Sequence, residues 1–124
     1  MDSMQKLAKD FFDAVEQGDV EALKTFYAPD AKIWHNTDGL EQSPDDNVQT
    51  LKGFVARIRD RRYRDRRVHV FPGGFAHQHT LTGTKTKDGK EVSLAACIVC
   101  TVENGRITRL DEYFDSAHVA QFRS

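Results

Sequence analysis

The chain has 124 residues, 39% of them hydrophobic and 30% charged, with a formal net charge of −1. That length suits a single domain over residues 1–124, able to bury roughly two-thirds of its unfolded surface, and that charge balance gives no global attraction to nucleic acid or an acidic membrane. The stretch MDSMQKLAKDFF lacks the apolar run of a signal peptide and no later stretch reaches membrane-spanning length, so a cytoplasmic protein with no membrane partner is expected.

In chain order, Leu7, Phe11, Ala14 and Val15 fall at helical spacing between Lys6 and Gln17, and Gly18 supplies a left-handed stop. Asp19 is positioned to cap a second, shorter helix carrying Val20, Leu23 and Phe26 and ended by Ala28-Pro29-Asp30. Ala31 to Asn36 reads as extended and Thr37 to Gln42 as a polar loop. Ser43-Pro44-Asp45-Asp46 is a helix start, with a cap, a proline at the first position and acids on the positive end of the dipole. Val48, Leu51, Phe54, Val55 and Ile58 then form one stripe. Extended runs follow at Tyr63 to Phe71 and, after Pro72-Gly73-Gly74, at Phe75 to Lys85; a hairpin from Glu91 to Asp115 comes after Asp88-Gly89.

The segment Arg57 to Arg67 holds seven arginines around Tyr63, a composition that can bind phosphate or nucleic acid. Asp60 and Asp65 interrupt it, it spans a helix C-terminus where cations are favoured, and the chain is not basic; no nucleic-acid partner is expected. Cys97 and Cys100 sit three apart on a strand and so point to opposite faces, which rules against a redox or chelating pair. His69 and His118 read as surface residues.

The hairpin carries the chemistry. Val92, Leu94, Ala96, Ile98, Cys100 and Val102 alternate along its first arm, so that face is buried. The register of the second arm depends on the turn at Glu103-Asn104-Gly105-Arg106. A two-residue loop would bring Arg109 and Asp111 onto the apolar face. A three-residue loop with Gly105 as a bulge pairs Leu94 with Phe114, Ala96 with Glu112 and Ile98 with Leu110, and is the register adopted. Glu112 is then the single acid on an apolar face, a candidate proton carrier. On the preceding strand Phe75, His77, His79 and Leu81 share the inner face, so His77 and His79 point inward with Glu112. With His35 these residues could compose a two-histidine, one-carboxylate metal site; the His-x-His spacing is common by chance, and no metal is expected.

Ala31-Lys32-Ile33-Trp34-His35-Asn36, His79-Thr80-Leu81-Thr82-Gly83-Thr84 and above all Asn104-Gly105-Arg106-Ile107-Thr108-Arg109-Leu110-Asp111-Glu112-Tyr113-Phe114-Asp115 resemble the SnoaL-like branch of the NTF2-like superfamily, which includes ketosteroid isomerases, polyketide cyclases and limonene epoxide hydrolase. The resemblance covers nearly the whole chain. It implies a conical α+β fold, three N-terminal helices packed in a curved antiparallel sheet, a homodimer through the outer sheet face, and a pocket at the open end of the cone. By the same resemblance Glu112 falls on the acid or base of the epoxide hydrolase, Asn36 on its water-positioning asparagine, and Trp34 on a tyrosine that helps hold that water. His79 replaces an arginine, and Leu81 stands where the second essential carboxylate falls, which argues against epoxide hydrolysis.

These readings converge on a cofactor-independent acid–base enzyme of isomerase or cyclase type, acting on a compact apolar or amphipathic small molecule. Glu112, His79 and Asn36 are its expected catalytic residues, and Trp34, His77, Leu81, Leu94, Ala96, Ile98, Leu110 and Phe114 line its expected pocket. The competing expectation is a non-catalytic ligand-binding or dimerisation module of the same fold.

Overall fold

A computed structural model describes residues 3–123. Helix α1 (Ser3–Gln17) buries Ala8, Phe11, Phe12, Ala14 and Val15. It ends as expected at Gly18, whose φ of 79° lets the Gly18 and Asp19 amides turn back to the carbonyls of Val15 and Ala14. The second helix is a 3-10 turn over Val20–Thr25, and the Asp19 side chain makes no capping bond to it. Strand β1 (Tyr27–His35) starts four residues earlier than expected; Pro29 is accommodated because pairing with its neighbour is irregular between Tyr27 and Lys32. After the two-residue strand β2 (Glu41–Gln42), helix α2 (Pro44–Arg57) begins as its sequence dictates, with the Ser43 hydroxyl accepting from the Asp46 amide.

The arginine-rich segment is a strand. β3 (Ile58–Phe71) opens with two copies of one pentad, Ile58-Arg59-Asp60-Arg61-Arg62 and Tyr63-Arg64-Asp65-Arg66-Arg67. In each copy the aspartate adopts positive φ, 55° at Asp60 and 56° at Asp65, and the pairing with the next strand skips there. Each bulge turns the following arginine inward. Arg61 donates to the carbonyls of Val15, Glu16, Val55 and Ile58, so it closes the C-terminal ends of α1 and α2 together. Arg66 donates to the Tyr63 carbonyl and pairs with Asp13 and Glu16 of α1.

β4 (Gly74–Lys85), β5 (Glu91–Glu103) and β6 (Arg106–Phe114) complete a six-stranded sheet in the order β2-β1-β6-β5-β4-β3. All neighbours are antiparallel except β1 and β6, which run parallel. The β5–β6 register differs from the expected one. Asn104 and Gly105 both have positive φ, 53° and 76°, and form a two-residue loop closed by Glu103 opposite Arg106. Thr108 is then the extra residue, because Val102 faces Ile107 while Thr101 faces Arg109; its hydroxyl donates to the Thr101 carbonyl at 3.2 Å. The bulge restores the parity that the short loop would have inverted. Ala96 therefore faces Phe114, Ile98 faces Glu112 and Cys100 faces Leu110, a slide of two residues that keeps the expected inner face.

Against that face α1 packs a core that includes Phe11, Phe12, Phe75, Ile98, Cys100, Ile107 and Leu110. A second cluster at the other end joins Ile58, Leu81, Val92 and Leu94 to Val119 and Phe122 of a C-terminal helix, α3 (Ser116–Arg123), which the sequence reading did not anticipate. Its His118 is half-buried rather than exposed, and His69 is exposed as expected, bonded to Gln78. Cys97 is half-buried and Cys100 buried, both as free thiols. No helix among the described residues is long and apolar enough to cross a membrane.

Candidate functional site

Between the two clusters lies a cavity of about 160 Å³. Leu81 of β4, Leu94 of β5 and Phe114 of β6 form its sheet wall, Leu51 and Phe54 of α2 one flank, and Val119 and Phe122 of α3 the cover. Alternation places these sheet residues on one face, and the helical stripe of α2 supplies the opposite wall.

Polar side chains, among them His35, Thr37, Asp38, Thr50, Tyr63 and Glu112, share the lining with these apolar ones. Glu112 lines the cavity, and its Oε1 accepts from His35 Nε2 at 3.1 Å, with the two side chains 20% and 18% exposed. The pair exists because β1 runs parallel to β6 with His35 directly opposite Glu112. Burial pulls the His35 imidazole pKa down, but the Glu112 hydrogen bond and charge outweigh it, and the net shift is upward from the usual 6.5. Tyr63 also lines the cavity. Burial, then the negative charges of Glu112 and Glu16, hold its phenol well above the usual range, so it stays a neutral donor. Among the described residues its hydroxyl has no hydrogen-bond partner. Chemically the arrangement offers the Glu112 carboxylate and the neutral Tyr63 O–H donor in one cavity, with Asp38, Thr37 and Thr50 also in its lining.

The sequence-derived site is redistributed. Glu112 does not pair with His79. His79 instead meets His77, Nδ1 to Nδ1 at 2.9 Å, deep in the core, where His77 stacks on Phe12 at 3.9 Å between centroids and His79 abuts Tyr63 at 4.6 Å. Burial lowers the pKa of His77 to about 4; burial, with the neighbouring His77 and Arg66, lowers that of His79 to about 3. Both rings are neutral near pH 7. Neither lines the cavity with Glu112.

Asn36 is exposed, and its amide both donates to the Phe114 carbonyl and accepts from the Phe114 amide; it ties the end of β1 to β6 and lies outside the lining of the cavity that holds Glu112. Trp34 lies one residue out of phase with the inward His35 and packs edge-on against Tyr113, outside the site. Of the expected lining, Leu81, Leu94 and Phe114 are present, while Ile98 and Leu110 are core residues beneath α1 and Ala96 also lies outside the cavity. Sequence reasoning missed Tyr63 and the cover from α3. The signal for Tyr63 was its apolar slot in the arginine pentads, the position held by buried Ile58 in the first copy. No group of three or more potential metal ligands occurs among the described residues.

A family model described as the SnoaL-like domain matches residues 8–110. No curated protein matches the chain. Among solved structures, a candidate polyketide cyclase from Xanthomonas campestris pv. campestris superposes with a TM-score of 0.87 at 19% identity, covering 98% of this chain and 97% of its own. An NTF2-like protein of unknown function from Burkholderia pseudomallei superposes at 0.83 and 18% identity, with 98% of each chain covered. AclR, a candidate hydroxylase from Streptomyces galilaeus, reaches 0.84 at 15% identity, covering 97% of this chain and 95% of its own. Identities this low establish a shared fold and leave activity open. The chain belongs to the SnoaL-like family of the NTF2-like superfamily.

Proposed function

We propose that the protein is a cofactor-independent acid–base enzyme of isomerase or cyclase type, acting on a small carbonyl compound in the cavity that holds Glu112. The carrying observation is that Glu112 and Tyr63 share one cavity. Glu112 takes a proton from the carbon next to the carbonyl, and the Tyr63 hydroxyl donates to the oxygen on which charge develops. His35 orients the carboxylate. His79 and Asn36 have no part in this scheme. The scale of the cavity matches the scheme, since a void of about 150 Å³ holds a benzene-sized molecule.

A binding module is the second reading, favoured by the mutual satisfaction of His35 and Glu112. Solvent-deuterium exchange separates the two. Cyclohexenone and related one-ring ketones, incubated with the protein in D2O, should lose their α-proton NMR signals faster than in buffer, and Tyr63→Phe should slow that loss by about a hundredfold. Exchange no faster than in buffer across the ketone series would favour the module. The same proposal includes a two-fold homodimer through the outer sheet face, supported by exposed Val99 and Tyr113 there.

A further inference from the structure

Two guanidinium groups at the mouth of the cavity complement the C-terminal poles of their helices but have no side-chain partner among the described residues. Arg57, the last residue of α2, and Arg123, the last of α3, both line the cavity and both are exposed. Among the described residues neither side chain makes an ion pair or a hydrogen bond, whereas Arg61, Arg66 and Arg109 are all engaged. The other charged groups lining the cavity are Asp38, already accepting from the Leu40 amide, and the Glu112–His35 pair. The two arginines are thus matched in number by the carboxylates of Asp38 and Glu112, but Glu112 is engaged by His35, and neither carboxylate pairs with an arginine.

A second observation concerns Gly53. It sits inside α2 at ordinary helical φ, where glycine is less favourable than alanine. A Cβ at this position would lie 3.0 Å from Nη1 of Arg57. The Arg57 side chain thus lies back over the preceding turn, on bare backbone, and the missing methyl is what leaves room for it there.

We propose that the substrate carries a carboxylate, held at the mouth by Arg57 and Arg123 while its enolisable carbon reaches inward to Glu112. The inner half of this rests on the proton-transfer reading; the anion site does not. A planar guanidinium fork matches a carboxylate in two-point contact. The negative pole of α2 beside Arg57 opposes any anion and opposes a dianionic phosphate about twice as strongly as a carboxylate, which favours the monoanion.

The test uses benzoate, its neutral isostere benzamide, and phenylphosphonate, titrated into the full chain and followed by amide NMR shifts at Leu94 and Phe114. Benzoate should bind about tenfold or more tightly than benzamide, as expected for a charge-assisted contact. Arg57→Met should remove most of that advantage and leave benzamide affinity unchanged. Gly53→Ala should weaken benzoate severalfold while raising Tm, which a purely structural glycine would not do. Glu112→Gln should retain benzoate binding. Equal affinities for benzoate and benzamide, no binding of either, or an Arg57→Met variant that binds benzoate like the parent would overturn the proposal. Phenylphosphonate binding more tightly than benzoate would overturn the carboxylate assignment. A benzoate preference without ketone exchange would leave the anion site standing and remove the catalytic reading; exchange without a benzoate preference would do the reverse.

Discussion

The imidazole of His35 sits under two opposed influences, burial lowering its pKa and Glu112 raising it, and Glu112 prevails. Its folded pKa therefore lies above the unfolded value near 6.5, so the pair stabilises the fold fully below that pH and loses its contribution as pH rises through the folded pKa. An NMR titration should find the His35 midpoint above 6.5 in the parent and below it in Glu112→Gln, where burial acts alone. A midpoint unmoved by the substitution would mean the contact at 3.1 Å does not form in solution. His77 and His79 behave oppositely. Their folded pKa values, about 4 and about 3, lie below the unfolded value, so the unfolded chain binds more protons as pH falls and stability declines from about pH 6.5 downward. For His77 alone full protonation costs on the order of 3 kcal/mol. Urea midpoints measured between pH 7 and pH 4 should fall steeply, and a His77→Leu, His79→Leu double variant should flatten that slope. The inward direction of both histidines was legible from alternation with Phe75 and Leu81. Their depth was not, because alternation gives the face and says nothing about which neighbour lies above it; here Phe12 covers them.

At the scale of elements, the pentads of β3 show how a charge run becomes scaffold. Arg61 donates to the carbonyls of Glu16 and Val55 at the ends of α1 and α2, and to that of Val15, which also accepts from the Gly18 amide. Arg61→Met should destabilise the protein by about 2–3 kcal/mol in denaturant unfolding, since hydrogen bonds from a charged donor are the stronger kind. Arg67→Ala, at an exposed position, should change stability by less than about 0.5 kcal/mol. Equal effects would refute the clamp. The helix starts and stops were readable because Gly18, Ser43 and Pro44 carry local geometry in their own chemistry. β3 was read as beginning at Tyr63 because Ile58 completes the stripe of α2, and because the bulges at Asp60 and Asp65, non-glycine residues at positive φ, break the period-2 alternation by which a strand is read. The hairpin register failed for a related reason: the Asn104-Gly105 loop was visible, but the bulge at Thr108 depends on which inner face the core will accept.

On the scale of the whole molecule, the fold was legible because helix order, strand alternation and the stretch from Asn104 to Asp115 agree with one another, as the match over residues 8–110 bears out. The candidate site was half legible: Glu112 came from the pattern and His35 was placed beside it only as a possible metal ligand, while their direct pairing, Tyr63 and the α3 cover depend on the parallel β1–β6 pairing and on contacts distant in sequence. The outer sheet face exposes Val99 at 37% and Tyr113 at 46%, beside Trp34. Sedimentation at micromolar concentration should report a dimer, with an interface of roughly 1,000 Å² or more, and Tyr113→Glu should shift it to monomer; a parent that sediments as a monomer would remove the dimer. If the carboxylate of Glu112 moves protons on a bound carbonyl compound, replacing it with its isosteric amide removes the base and keeps the shape. Glu112→Gln should slow α-proton exchange of a bound ketone by about a hundredfold or more while its dissociation constant changes little. An exchange rate equal to that of the parent protein would contradict the claim and leave Glu112 a structural partner of His35.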